Sequence, residues 1–407
     1  MRARWLFASA ALASSTAMVV ACATEDSTSY APPDESPSVI PSPESGTDDA
    51  DASDDADATA PPYVCAQDEL CPNDLFVATR KGGALDPRTR IEVIRGRSAT
   101  DVWAAGVQGS IAHFDGTSWT RSESGTKETV NALWLRESEE VALASISSFF
   151  TRGLEPADAG ADAGSLSSGG WRAVGAPRPL STIRADNRLL ESAWAPPGAE
   201  WAWLATVEAP LVVIGGAVPS GLWRVRVAPS DGVIEIASPF PVGTCAVIPC
   251  SKLKSIHGAS ADVLWAVGYT GATVRISGAQ SDTPTLTAFD SKTWAGLDGV
   301  WAASETEAWS VGGGGVIRRY TGHPSTWDVV SDVPTTEDLH AVWGTGATDI
   351  WAVGNGAVVL HYDGKTWSQV KVGGLGERRP NLYTVWSPAP GHVWIGGEGV
   401  LISIGGK

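Results

Sequence analysis

The sequence predicts an all-β fold: a seven-bladed β-propeller of four-stranded blades, its ring closed by an N-terminal strand that completes the last blade. Three observations lead there. A tryptophan-marked unit recurs with a period just above 40 residues. Each unit breaks into short strand-like runs separated by turn residues. The last unit is one strand short, while a spare strand stands ahead of the first.

The repeat is read from its tryptophans. Nineteen of them against seven phenylalanines is an odd ratio, and their placement explains it. Asp101-Val102-Trp103-Ala104-Ala105-Gly106 lines up with Val263-Leu264-Trp265-Ala266-Val267-Gly268, with Glu307-Ala308-Trp309-Ser310-Val311-Gly312 and with Asp349-Ile350-Trp351-Ala352-Val353-Gly354. His392-Val393-Trp394-Ile395-Gly396-Gly397 joins them. Eight residues before each of these tryptophans stands a second marked position: Arg95, His257, Trp301, Trp343 and Trp386. Two worn copies fill the gap, with Trp134 eight residues before Ala142 and Trp194 nine before Trp203. The steps between the seven first positions are 39, 60, 63, 44, 42 and 43, a base unit with two insertions. One supersecondary unit of that length is a propeller blade.

The cleanest unit divides into strands at 339–344, 349–354, 358–362 and 366–370, with Gly, Asn, Asp and Lys in the turns. Its second strand is apolar on both faces, as expected of a blade sandwiched between two others. The tryptophans are therefore read as core. The seventh unit, from 381 to the end, has three strands, and the run 75–81 (Leu-Phe-Val-Ala-Thr-Arg-Lys) is the strand predicted to complete it. Residues 155–170 form an Ala/Asp/Gly/Ser insertion expected to be a mobile loop, and 227–250 a long excursion between the third and fourth units.

Ahead of the propeller the composition changes. Arg2 and Arg4 precede an apolar run too short to remain as a spanning helix, ending at Val19-Val20-Ala21-Cys22. That string resembles the lipobox of bacterial lipoprotein signal peptides, which implies a leader over 1–21, diacylglyceryl attachment at Cys22 and export. Ala23 in place of an aspartate implies, by the same resemblance, an outer-membrane destination. Residues 23–62 carry eleven acids and no base among prolines and serines, a segment expected to stay disordered as a self-repelling tether. Its aspartates at 48–57 lack the turn glycine of a calcium loop. Leader and tether account for more than half of the net charge of −17, leaving −8 on residues 63–407. A mildly acidic domain argues against nucleic acid as a partner. No later segment has the ~18 consecutive apolar residues of a spanning helix. Besides Cys22, the cysteines fall in two close pairs, Cys65 with Cys71 and Cys245 with Cys250. In an exported chain they are expected to form two disulfides, though four cysteines allow three pairings and proximity is only a weak preference. Neither pair has a histidine at zinc-site spacing.

Within the repeat, His361-Tyr362-Asp363-Gly364-Lys365-Thr366-Trp367 and its echo His113-Phe114-Asp115-Gly116-Thr117-Ser118-Trp119 resemble the Asp-box turn of bacterial neuraminidase repeats. The usual box has one more residue between aspartate and tryptophan. The surrounding Trp-Ala-Val-Gly unit is similar to propellers of the photosystem II assembly-factor type. The resemblance spans roughly 75–407 at the level of repeats. It implies the fold and a structural turn; the arginine triad and Phe-Arg-Ile-Pro motif of sialidases are absent.

Scans for catalytic motifs find no nucleophile elbow, no phosphate loop and no histidine pair at ligand spacing. The glycines at 312–315 align with hairpin turns of other units. Stacking the repeats yields one constellation. The second residue of each innermost strand reads Glu92, Asn131, Glu191, Lys254, Asp298, His340 and Tyr383, followed each time by a small residue. If that strand lines the axis, these seven side chains ring one mouth of the channel. There they are competent to hold a polar ligand or a cation such as calcium, or to be no more than a solvated rim. The same arrangement expects Arg95 and His257 to face the channel. Three readings compete. A monomeric, non-enzymatic envelope propeller that binds a protein partner or polar ligand is preferred. A glycan-binding or glycan-hydrolysing propeller would use Glu92, Glu191 and Asp298 at the mouth. A quinoprotein-like or outer-membrane assembly propeller would have eight blades and a different tryptophan motif.

Overall fold

The computed structural model describes residues 63–77, 85–154, 165–180, 188–208, 218 and 220–406. Cys22, the leader and the tether lie outside these residues, as does most of the 155–170 insertion. Among the described residues, no helix is long and apolar enough to cross a membrane.

Seven antiparallel sheets follow one another along the chain, so the fold is a seven-bladed β-propeller. Blade 6 shows the plan, with strands Leu339–Gly346, Asp349–Gly354, Val359–Tyr362 and Trp367–Gln369, the sequence reading to within two residues. Each inner strand packs against the inner strands of the blades on either side, which closes the ring around an axial channel. Second strands sit largely inside the blade stack: Trp203 and Trp265 are fully buried and Trp309 nearly so, while Trp351 is half-buried.

Register explains the marked positions. Arg95 faces Trp103, His257 faces Trp265, and Trp194, Trp301, Trp343 and Trp386 face Trp203, Trp309, Trp351 and Trp394. In blade 2 the pairing is one residue tighter than the spacing implied, and Trp134 faces Val141 instead of Ala142. Each column residue of blades 1, 4 and 6 is followed by a glycine on which the preceding blade's tryptophan lies. These contacts are Trp386 on Gly96, Trp194 on Gly258 and Trp301 on Gly344. A wedge-shaped stack needs a large ring on one blade and an empty Cβ position on the next.

The ring closes with an N-terminal strand, but not the one expected. Leu70–Pro72 pairs with Val400–Ile404 as the fourth strand of blade 7. Of the run at 75–81, Asp74–Phe76 forms a short 3₁₀ turn that buries Leu75, and 78–81 lie outside the described residues. The closing strand is short, and two of its three residues are cysteine and proline, so hydrophobic patterning favoured its neighbour. Cys65–Cys71 places one of its sulfurs in the closing strand itself, and Cys245–Cys250 ties a four-residue helical turn, Thr244–Val247. The excursion at 227–250 contains the fourth strand of blade 3, Ile234–Ala237, and Arg178–Pro179 adds a fifth strand in parallel beside it.

The Asp-box-like turns prove to be structural. Asp115 Oδ1 accepts from the backbone N–H groups of Thr117 and Ser118 at 2.8 and 2.9 Å, and Asp363 Oδ1 from those of Lys365 and Thr366, both at 2.8 Å. Gly116 and Gly364 hold φ of 92° and 93°, a region that L-residues avoid.

Candidate binding site along the channel

A β-bulge builds the ring. In six blades the ladder between the inner and second strands skips one residue near the start of the inner strand, and the residues skipped there are Glu92, Glu191, Lys254, Asp298, His340 and Tyr383. A bulged residue leaves the ladder and its side chain is re-aimed. In blade 2 the strand begins at Ala132, and Asn131 stands just before it. All seven side chains line one cavity of about 430 Å³ at the mouth and a narrower one of about 100 Å³ beneath it. The residues after the bulge hold neighbouring blades together. Thr384 Oγ1 accepts from the Ile94 N–H at 3.2 Å and Ser255 Oγ from the Val300 N–H at 3.1 Å.

The ring groups are not independent. Lys254 Nζ lies 2.8 Å from Asp298 Oδ1, and His340 Nδ1 lies 3.9 Å from Asp298 Oδ2. The imidazole stacks on Tyr383 at 4.9 Å between centroids, and the Arg90 guanidinium covers that ring at 4.6 Å. Arg90 Nε donates to Glu92 at 2.6 Å. This chain of contacts runs through blades 4, 5, 6, 7 and 1. Burial works against the Lys254 cation, yet the Asp298 carboxylate outweighs it and holds the ammonium above its ordinary pKa. Burial, reinforced by Glu398, raises the Tyr383 phenol. Asn131 spends its amide on the Ala144 carbonyl at 2.7 Å.

Glu191 differs from the rest. No hydrogen bond reaches its carboxylate among the described residues. Burial raises its pKa above the ordinary value; Lys254 opposes the shift, while Asp298 and Glu92 add to it. The mouth therefore offers one open carboxylate in a circle of mutually satisfied groups, suited to accepting hydrogen bonds from a polar ligand. Glu92 and Asp298 are each tied to a cation, Arg90 and Lys254 respectively.

Stacking the repeats missed three participants. His340 Nε2 meets Asn355 Oδ1 at 2.7 Å, Tyr383 Oη donates to Glu398 Oε1 at 3.1 Å, and Arg90 serves Glu92. Asn355 and Glu398 each directly follow the glycine that ends a second strand, so the repeat alignment carried a signal at that position too. Lower in the channel, Arg95 and His257 both line the narrower cavity.

The segments that carry the ring also expose apolar side chains. Tyr269 opens the turn after the second strand of blade 4, lies 5.1 Å from Lys254 Nζ and is 44 % exposed. Trp294, three residues before the inner strand of blade 5, is 89 % exposed. Its neighbour Thr293 packs its carbonyl against Gly271 of the Tyr269 turn. Val247 on the disulfide-tied turn and Leu189 at the cavity rim are exposed as well.

Fold and channel together define a propeller with a polar-ringed axial cavity. The photosystem II assembly factor YCF48 bound to D1 peptide is similar in fold, with TM-score 0.54 and 13 % identity over 84 % of this chain and 96 % of that one. YCF48 from Cyanidioschyzon merolae gives 0.54 and 16 % over 79 % and 97 %. The extracellular domain of BT4673 from B. thetaiotaomicron gives 0.53 and 10 % over 83 % of this chain and 40 % of that one. At such identities the likeness shows the fold. No family model matches the chain, and no curated protein matches it.

Proposed function

We propose that this protein is an exported, lipid-anchored binding propeller that engages a protein partner with the face around the polar-ringed mouth. The carrying observation is Trp294, a tryptophan 89 % exposed on the segment leading into the inner strand of blade 5, where its neighbour Thr293 approaches Gly271 of the Tyr269 turn. An aromatic left in water on a rigid scaffold is the residue type that dominates interface energetics. The YCF48 neighbour, bound to D1 peptide, supports a peptide or protein ligand for a propeller of this architecture. Two disulfides support an oxidising compartment. The Val19-Val20-Ala21-Cys22 string supports lipid attachment at Cys22, with residues 22–62 as the tether. In this reading the ring, with Glu191 as its open acceptor, orients a polar group of the partner above the mouth.

The test places a photo-crosslinking residue at 294, at 269 and, on the opposite face, at 136, in cells carrying the full-length gene. Crosslinks from 294 and 269 to one and the same protein, none from 136, and loss of that complex on Trp294→Ser are expected. Equal capture from both faces, or an unaltered complex in Trp294→Ser, would refute the assignment of this face. In the same cells Cys22→Ser is expected to abolish incorporation of labelled fatty acid; retained label would refute the anchor.

A further inference from the structure

The far end of the channel has a different chemistry. There the inner strands end in the tryptophan column, and a cavity of about 450 Å³ opens between Trp194, Trp343, Trp386 and the Pro196-Pro197 turn. Its size falls within the range of small-molecule sites, ~300–1,000 Å³. Two of the seven column positions break the tryptophan pattern, and both, Arg95 and His257, line this cavity as well as the narrower one above it.

Arg95 is a cation without a counter-ion. No carboxylate among the described residues lies within ion-pair distance of it. Among the described residues its one side-chain hydrogen bond is donated from Nη1 to the Ile94 carbonyl at 2.8 Å, and its guanidinium lies over Trp343 at 4.9 Å. Burial lowers its pKa to about 10, so it stays charged at neutral pH. The other arginines at this end are paired: Arg97 with Asp101 and Glu140, Arg136 with Glu139. His257 Nδ1 accepts from the Ala302 N–H at 3.1 Å, which puts the ring proton on Nε2 as a donor. Burial, helped by Arg95, pushes its pKa down to about 3, so the imidazole is neutral. Arg95 is half-buried, and an unpaired guanidinium facing a cavity offers an anion charge-assisted hydrogen bonds.

We propose that this cavity binds a small organic carboxylate with an apolar body. The carboxylate sits on the free N–H donors of Arg95, with His257 Nε2–H as second donor. The body lies against Trp194, Trp343 and Trp386. Arginine suits the planar anion because its fork can donate two parallel bonds. The site is on the opposite face from the partner surface and does not depend on it.

The test titrates the purified full-length chain, by tryptophan fluorescence and calorimetry, with decanoate and indole-3-propionate, each beside its primary amide. Saturable one-to-one binding of at least one acid, at least ten-fold tighter than its amide, is expected. Arg95→Met should weaken that acid at least ten-fold while leaving the amide unchanged, with a melting temperature equal to or above the parent's. Should Arg95→Met not fold, Pro197→Glu at the exposed rim sets a repelling charge and is expected to weaken the acid in a salt-sensitive way. Acids and amides binding alike, no acid binding at millimolar concentration, or full acid affinity in whichever of these variants folds would overturn the proposal.

Discussion

Gly344→Ala isolates the packing rule that holds the blades together. A Cβ there would lie 2.7 Å from Trp301 Cη2 and 2.8 Å from Cζ3, both on the outer edge of the indole. Carbon atoms rest ~3.5–4.0 Å apart, so ring or strand must retreat by roughly 1 Å. Trp301 is only 5 % exposed and has little room to do so. Overpacking of this kind costs ~1–3 kcal/mol. The backbone at Gly344 is not left-handed, so alanine brings no conformational strain, and by itself it would gain up to ~1 kcal/mol in a strand interior. A net loss of about 1–2 kcal/mol is expected by urea denaturation with an unchanged m value. Two controls separate the causes. Gly346→Ala, two residues along the same strand, meets nothing within 4 Å and should be neutral or slightly stabilising. In a Trp301→Phe background the outer indole atoms are gone, and Gly344→Ala should lose most of its penalty. Equal penalties in both backgrounds, or a stabilised single variant, would refute the ring-on-glycine account.

Two further outcomes follow from the same structure. The disulfides close loops of 6 and 5 residues in separation, and removing either should cost ~2 kcal/mol by the chain-entropy relation; Cys65→Ser/Cys71→Ser should also accelerate unfolding, read by stopped flow, because it loosens the closing strand. Asp115 and Asp363 are held below the ordinary 3.8 chiefly by backbone N–H donors. Their stabilisation is complete above that value and is lost as pH falls beneath it. Asp115→Asn/Asp363→Asn keeps an acceptor oxygen without a titration, so its melting temperature should fall less steeply than the parent's on acidification; parallel curves would count against these turns as acid-sensitive elements.

Much of the architecture was legible because a propeller repeats. Most blades solve the same packing problem with the same tryptophans, so position within the unit predicted the buried role of Trp103, Trp265 and Trp309, while Trp351 at the same position is half-buried. Alignment also found the seven ring residues, since a polar residue followed by a small one recurs at the start of every inner strand. Other features were hidden. A bulge puts the ring side chains into the channel, and strand alternation alone gives no sign of it. A histidine or arginine stands opposite the second-strand tryptophan in five blades: His113, Arg224, Arg275, Arg319 and His361. Those in blades 1 and 6 share an acceptor with the indole, as Trp103 Nε1 and His113 Nε2 both reach Asp101 Oδ1 at 3.1 and 2.9 Å. That pattern was open to the same alignment and needed only a comparison one strand further on. The closing strand was misplaced because Leu70-Cys71-Pro72 has weak strand character, and a partner's open edge fixes it in place.

By itself the sequence determined the number of blades, the plan of the repeating blade and most of the tryptophan core, because these are local patterns multiplied by repetition. The apolar run ending at Cys22 and the acidic stretch after it set the expectation of an anchored, exported chain in the same local way. Only the tertiary structure decided which charged groups meet. Lys254 and Asp298 come from successive blades, and Glu92 closes a chain of contacts that crosses from the last blade to the first. Glu191 is left open and Arg95 unpaired for the same reason. Charge pairing depends on distances across the ring, and side chains brought together only when the propeller closes have no fixed separation along the chain.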